Sequence, residues 1–453
     1  QEAAYESILY QKRKEIHLKV ARSIEKVFDK RLHEFYGMLA LHYIKGEGYE
    51  KAEHYLVKAG EEAMKASAPS EALNYHQEGL KLYLQSSKDT ADPEKLAMFE
   101  KNIAIALYNK CRWVEAVEHI DKVFEYWNMR TSPNKIYVLI MFTKNVLSIM
   151  TGLDHLLKKT KIIPSQRDAD ILDLLYRKIA ALVYIDNFEM FFNVLNGFNK
   201  ALNVDISKST EAFNLYTMLA GDLSFAGLSF QIPYKILDIC KAKMDKNNIQ
   251  LRMPFTTMHT VTNHCSGDWG KIRAFDIALV DDALKKGLMW DLTGYMLFFF
   301  GVKIGTGDFE DVEHSILKLY EIANDYDYDL AAVYADLLKV WLLIKKGKVS
   351  EVQKEANRGF TFSGKHSTEL HQQVFLSWKA QAQILLNDVE GAKESMLQAQ
   401  SLVNQQKFIP PMYIMYYLVA QFMVDIYLLK EAKISNNSKN ILRFKKKAYQ
   451  SVK

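Results

Sequence analysis

Asp325, Asp327 and Asp329 alternate along the chain as the first ligands of a calcium loop do, which makes them the first residues to weigh for chemistry. In that frame position six is Leu330, where the sharp turn needs glycine, and position twelve is Asp336, where a bidentate glutamate belongs. Calcium is therefore set aside, and the three acids read as helix-capping residues interleaved with Tyr326 and Tyr328. His259, His264 and Cys265 could in principle hold zinc. Five residues apart on a helix, however, the two histidines are rotated off a common face, so they read as packing residues, as do His366 and His371. No G-x-x-x-x-G-K-[ST], H-E-x-x-H, C-x-x-C or G-x-S-x-G pattern occurs. We expect no catalytic, cofactor-binding or metal-binding residue in this chain.

What remains is binding chemistry. Tyr108, Asn109, His264, Tyr334, Trp341, Lys345 and Gln381 offer aromatic, amide and cationic groups that suit a protein or peptide ligand if rigid helices present them along a groove. The bland alternative is that long helices pack these side chains against their neighbours. A groove requires stacked helix pairs whose first helices line a concave face, so the elements must show a repeat.

The stretch from Tyr36 to Ala72 shows one. Tyr36, Leu39, Ala40, Tyr43, Tyr49, Ala52, Leu56 and Ala59 fall at the spacing of a tetratricopeptide-like unit, in which small residues let two helix backbones approach closely. Ala59, Gly60 and Ala63 then serve as first-helix contacts of an overlapping copy that continues to Ala72. Ile103, Ala104, Leu107, Trp113, Ala116, Ile120 and Val123 make the clearest single unit, with Ala104 and Ala116 as its close pair. Apolar periodicity predicts helices over 5–28, 32–45, 49–66, 69–86, 94–110 and 113–127, with a break at 89–93.

Farther on, the turn inside each pair is marked by an aromatic or branched residue after a small-polar step. These markers are Leu153 after Thr151-Gly152, Phe188 after Asp186-Asn187, a weaker turn over 229–233, then Trp269, Phe309, Val349 and Val389. The last four recur every 40 residues, longer than the usual tetratricopeptide period of about 34 and consistent with longer helices. The Gly or Asn before each marker is expected to end the first helix in the left-handed conformation, and the following Asp to cap the second.

The bulk properties agree with such an array. The 453 residues contain only 8 prolines and 20 glycines, so long helices follow and no linker divides the chain. Disorder is expected only near 435–438. The net charge of +5 is concentrated: Lys439, Arg443, Lys445, Lys446, Lys447 and Lys453 lie in a tail without acids, leaving a near-neutral body unsuited to nucleic acid. Three scattered cysteines favour a reducing, cytoplasmic setting over a disulfide framework. The apolar run 412–429 contains Gln421 and Asp425 and follows Pro410-Pro411, so it reads as a buried helix and not as a membrane span. With 440–453 it looks like a last pair cut short, and the start at Gln1 suggests a segment of something longer.

One further run carries a family likeness. Ala3-Ala4-Tyr5-Glu6-Ser7-Ile8-Leu9, with Arg13, His17, Ala21 and Glu25, passes into Leu39-Ala40-Leu41-His42-Tyr43, Lys51-Ala52, Tyr55-Leu56 and Ala59-Gly60-Glu61-Glu62-Ala63. Over about residues 3–85 this resembles the end of the helical module that follows the nucleotide-binding domain in STAND-type signalling ATPases, of the kind fused to class III adenylate or guanylate cyclases such as the soluble adenylyl cyclases. The resemblance implies a parent whose ATPase and cyclase domains, with their ATP and Mg, lie outside this segment. It divides the chain into the end of a winged-helix-like module (1–31), tetratricopeptide-like repeats (32–130) and longer-period helical repeats (131–453).

The expected fold is an all-α superhelical solenoid of tetratricopeptide-like helix pairs with a period near 40. The expected role is a regulatory, partner-binding region that engages a groove ligand and the parent's own ATPase domain in cAMP or cGMP signalling. The alternatives are a passive protein-interaction scaffold, or the sensor region of an ATPase-containing kinase or transcriptional activator.

Overall fold

The computed structural model describes residues 9–87, 90–129, 161–365 and 369–452. Among these residues the chain is all-α, with 20 α-helices packed in consecutive pairs as an α-solenoid. It divides into two compact units, Gln1–Pro133 and Asn134–Lys453. The turn expected at Leu153 lies outside the described residues, as do His366 and the first residues of the family-like run.

The first unit holds α1 (Tyr10–Val27), α2 (Tyr36–Lys45), α3 (Tyr49–Lys65), α4 (Pro69–Ser87), α5 (Pro93–Asn109) and α6 (Trp113–Tyr126). Its small residues sit where the pair grammar needs them: Ala40, Ala52, Ala104 and Ala116 are all essentially solvent-free. A Cβ at Gly60 would overlap the ring of buried His76, so α3 and α4 approach through a position that only glycine leaves open. One boundary differs from expectation. Residues 32–35 belong to a 3₁₀ turn, Asp29–Phe35, because Arg31 leaves helical geometry (φ −128°) and Phe28 stacks on Phe35 at 4.3 Å.

The second unit holds α7 (Gln166–Ile185), α8 (Asn187–Ala201), α9 (Thr210–Phe225), α10 (Gln231–Lys243), α11 (Ile249–Ser266), α12 (Ile277–Lys285), α13 (Met289–Thr306), α14 (Val312–Asp325), α15 (Asp329–Lys345), α16 (Val349–Lys365), α17 (Glu369–Leu385), α18 (Val389–Gln405), α19 (Pro411–Ile434) and α20 (Ser438–Val452). The first helices of successive pairs pack on one another as an inner layer. Within this unit the layer turns far enough to meet itself. Lys407 pairs with Asp186, Phe191 meets Phe408 edge-on at 5.5 Å, and Phe225 meets Tyr413 at 5.6 Å.

The 40-residue rhythm has a backbone cause. Gly267, Gly307, Gly347 and Asn387 all adopt positive φ, at 80°, 81°, 70° and 61°, and Gly227 (φ 67°) extends the series one step earlier. The capping half of the expectation holds unevenly. Asp388 accepts from the Gly391 N–H at 3.0 Å and caps α18, whereas Asp268 bonds Tyr234 and Lys271. The helices after Trp269 and Phe309 accordingly begin later than expected, at Ile277 and Val312, because a 3₁₀ turn (Trp269–Lys271) and left-handed Asp311 intervene. Residues 435–437 form an ordered turn with Asn436 at φ 51°, so the expected disorder there gives way to a helix junction.

Gly347 isolates the cost of the turn conformation, since a Cβ there would meet nothing within 4 Å. Gly347→Val should therefore lose stability only through backbone strain, about 1–2 kcal/mol, and Gly347→Asn clearly less. Urea denaturation of the two variants checks this, and equal midpoints would contradict the left-handed requirement.

Candidate functional site

The interior of the second unit gathers polar groups that the inner helices bring together from distant parts of the chain. Tyr184 near the end of α7 shares a 2.7 Å hydrogen bond with the Tyr334 hydroxyl on α15, and the Trp290 indole N–H on α13 donates to the Tyr184 oxygen at 3.1 Å. Thr257 on α11 donates its hydroxyl to the backbone carbonyls of Met253 and Asp291. Tyr413 on α19 lies 3.3 Å from Nε2 of fully buried His371.

These groups border a cavity of about 50 Å³ together with Asp222 of α9, and no lysine or arginine is among its lining residues. Asp222 is 5% exposed, and its Oδ2 has no hydrogen-bond partner among the described residues. Burial alone pushes its carboxyl up to about 8, because no neighbouring charge or donor favours the ionised form. Asp291, also buried, is raised to about 7 by desolvation, partly offset by the Tyr176 hydroxyl that donates to it at 2.7 Å and by the charge of Arg177.

A second, smaller cavity of about 30 Å³ lies beside Tyr413, bordered by His264, Phe298, Trp341, Trp378 and Tyr416. Here Trp341 stacks on Trp378 at 6.3 Å, and Tyr416 meets Trp378 edge-on at 4.9 Å. Desolvation holds the His264 imidazole down to about 4, although its Nδ1 lies 3.3 Å from the Phe298 carbonyl. His264 is neutral near pH 7. Its ring serves packing, close to Phe298 at 5.3 Å.

Of the expected groove residues, Tyr334 and Gln381 are buried, at 5% and 8% exposure, inside the second unit. His264 and Trp341 are half-buried and share the smaller cavity, while Lys345 is exposed at the end of α15. In the first unit Tyr108 is buried edge-on to Trp113 at 5.5 Å, and Asn109 beside it is half-buried. The residues that sequence reasoning passed over are Asp222, Tyr184, Trp290 and Tyr413. One signal was available: Asp222 is the one ionisable acid within the mostly apolar run 215–225 of an inner helix, and helix-interior acids of that kind need either a partner or a purpose.

Two other candidates can be placed. Asp325 ends α14, Asp329 begins α15, and Asp327 between them adopts φ 51°. Among the described residues no three His, Cys, Asp or Glu side chains come together as a metal site. Helix α19 is long and apolar enough to cross a membrane, the sole such helix among the described residues. Its Asp425 is nevertheless 2% exposed and accepts from Gln421 at 3.0 Å, while Met415, Leu418 and Val419 form an open apolar face. No protein-family model matches the chain, and no curated protein matches it either.

Proposed function

We propose that the chain is the regulatory, partner-binding helical-repeat region of a STAND-type signalling ATPase, in a parent that also carries a nucleotide cyclase. The observation that carries this reading is continuity of packing in the first unit. Ala21 and Ile24 of α1 share one core with Leu39, Ala40, Tyr43, Ala52 and Leu56, the residues of the family-like run. By the resemblance, α1 ends the winged-helix-like module after the ATPase, so a displacement of the repeats would be passed to that module through packed side chains, not through a slack linker. Cohesion is reinforced by polar contacts: Lys51 pairs with Glu25 at 2.8 Å, and the Tyr55 hydroxyl donates to Glu25 at 2.7 Å.

In this reading a cytoplasmic protein or peptide engages accessible first-helix positions such as Asn109 and Lys345. A bound partner biases the parent only if it prefers one of the parent's states. ATP and Mg act in the parent's other domains, and this segment contributes no catalytic group.

The test compares ATP hydrolysis and cyclic nucleotide production by the parent with a version ending before Leu32. A change of several-fold in either rate is the expected result. Unchanged rates together with loss of a bound partner would reject regulation in favour of a passive scaffold.

A further inference from the structure

We infer that the cavity beside Asp222 in the second unit is a binding site for a small protonated amine, held by the Asp222 carboxylate and bordered by aromatic rings. Hydrogen bonding around this cavity is unbalanced. Every other polar side chain bordering the cavity already has a partner: Tyr184, Tyr334 and Trp290 bond one another, Thr257 bonds two carbonyls, and Tyr413 meets His371. Asp222 alone lacks one among the described residues, although it is nine-tenths buried and borders open space. Native interiors rarely leave such a buried polar group without a partner or a purpose.

The surroundings select the kind of occupant. Phe225, Phe298, Tyr184, Trp290, Tyr334 and Tyr413 border the cavity, and aromatic faces attract organic cations while rejecting anions. No cationic side chain borders it to compete. A metal ion would find a single carboxylate and no other anionic ligand, a poor set for Ca²⁺ or Mg²⁺. The space corresponds to about four waters, on the order of four or five non-hydrogen atoms, which fits a short alkylammonium and not a peptide. An N–H-bearing ammonium supplies both the charge and the donor that Asp222 lacks. Binding here requires no particular parent, so it can fail while truncation still changes the parent's rates, and the reverse.

The side chains that border the cavity with Asp222 are all neutral, Tyr184 from α7, Thr257 and Met258 from α11, Trp290 and Phe298 from α13, Tyr334 from α15 and Tyr413 from α19, and no neighbouring charge acts on its carboxyl. Buried His371 behind Tyr413 is also neutral, its imidazole held down to about 3 by desolvation. Occupancy should therefore follow ionisation of this one carboxyl. An alkylamine stays protonated throughout the range.

Isothermal titration of the full 453-residue chain with trimethylammonium chloride, against sodium chloride at equal ionic strength, tests the site. Affinity is expected to rise about tenfold per pH unit from 6 towards 8 and then level off, with proton release below pH 8. Asp222→Asn should weaken binding at pH 8 at least tenfold, Trp290→Leu several-fold, and tetramethylammonium, which lacks the N–H, should bind more weakly than trimethylammonium. No heat beyond the salt control at pH 8, or equal affinity in wild type and Asp222→Asn, overturns the inference and leaves a hydrated, protonated acid.

Discussion

Asp222→Asn is expected to raise the unfolding midpoint of the second unit at pH 8 and to leave it nearly unchanged at pH 4. The folded carboxyl titrates near 8 and the unfolded one near 3.8, so between these values the folded state binds more protons. Stability contributed by the neutral form is present at low pH and lost as pH rises through this window. The asparagine does not titrate, and like the neutral acid it carries an N–H or O–H donor, so the two chains differ little at pH 4. Above pH 8 the full penalty of the wild-type carboxylate appears, up to roughly 6 kcal/mol by the value of a pKa unit. Water entering the cavity lowers that figure, and a gain of about 2–4 kcal/mol is the working expectation.

Neighbouring groups provide internal controls. Asp291→Asn should show a smaller gain that is complete nearer pH 7, since Tyr176 and Arg177 already favour its ionised form. His264 and His371 act in the opposite sense: held down to about 4 and 3, they withdraw stability as pH falls below 6.5. As far as these four groups carry it, stability is flat between about pH 4 and 6.5, where two excess folded-state protons balance two excess unfolded-state protons. It then falls from 6.5 to 8. Calorimetry of wild type and Asp222→Asn across pH 4–9 checks both statements, and midpoints separated by the same amount at every pH would show that ionisation of Asp222 is not the cause.

What could be read from the residues divides along physical lines. The pairs of the first unit were legible because close helix approach leaves a local mark: Ala40 with Ala52, and Ala104 with Ala116, must be small wherever they occur. The 40-residue period was legible because a left-handed turn admits few residues, and Gly267, Gly307, Gly347 and Asn387 are among them. Helix starts after Trp269 and Phe309 were not, since Asp268 and Asp311 can cap or turn with similar local cost. The cavity was less legible still. It depends on how far the inner layer turns before α7 meets α15 and α19, and Tyr184 bonds Tyr334 across 150 positions of sequence. No local pattern encodes that angle. The groove positions inferred from turn offsets therefore scatter, from buried Tyr334 to exposed Lys345.

The first unit offers the other large effect, at the residue that marks its clearest repeat. Trp113 opens α6 directly after the left-handed turn at Cys111 (φ 57°) and is 2% exposed, with its ring edge-on to Tyr108 of α5. It is among the largest fully enclosed side chains of the chain, and the small residues of the pair, Ala104 and Ala116, cannot expand to fill its place. Trp113→Ala should therefore cost about 3–5 kcal/mol, the range for aromatic truncation where a cavity cannot collapse. Trp113→Phe retains a ring against Tyr108 and should cost less than half as much. Hydrogen exchange localises the effect: amides of α5 and α6 should lose roughly a hundredfold or more of their protection in the alanine variant, since 1.4 kcal/mol is a factor of ten. Losses of less than about threefold in both variants would mean that the volume at this position matters little. The remaining contacts, the close alanines and the His119–Glu100 pair among them, would then hold the two helices together, and the aromatic turn marker that recurs downstream would reflect turn geometry and not packing.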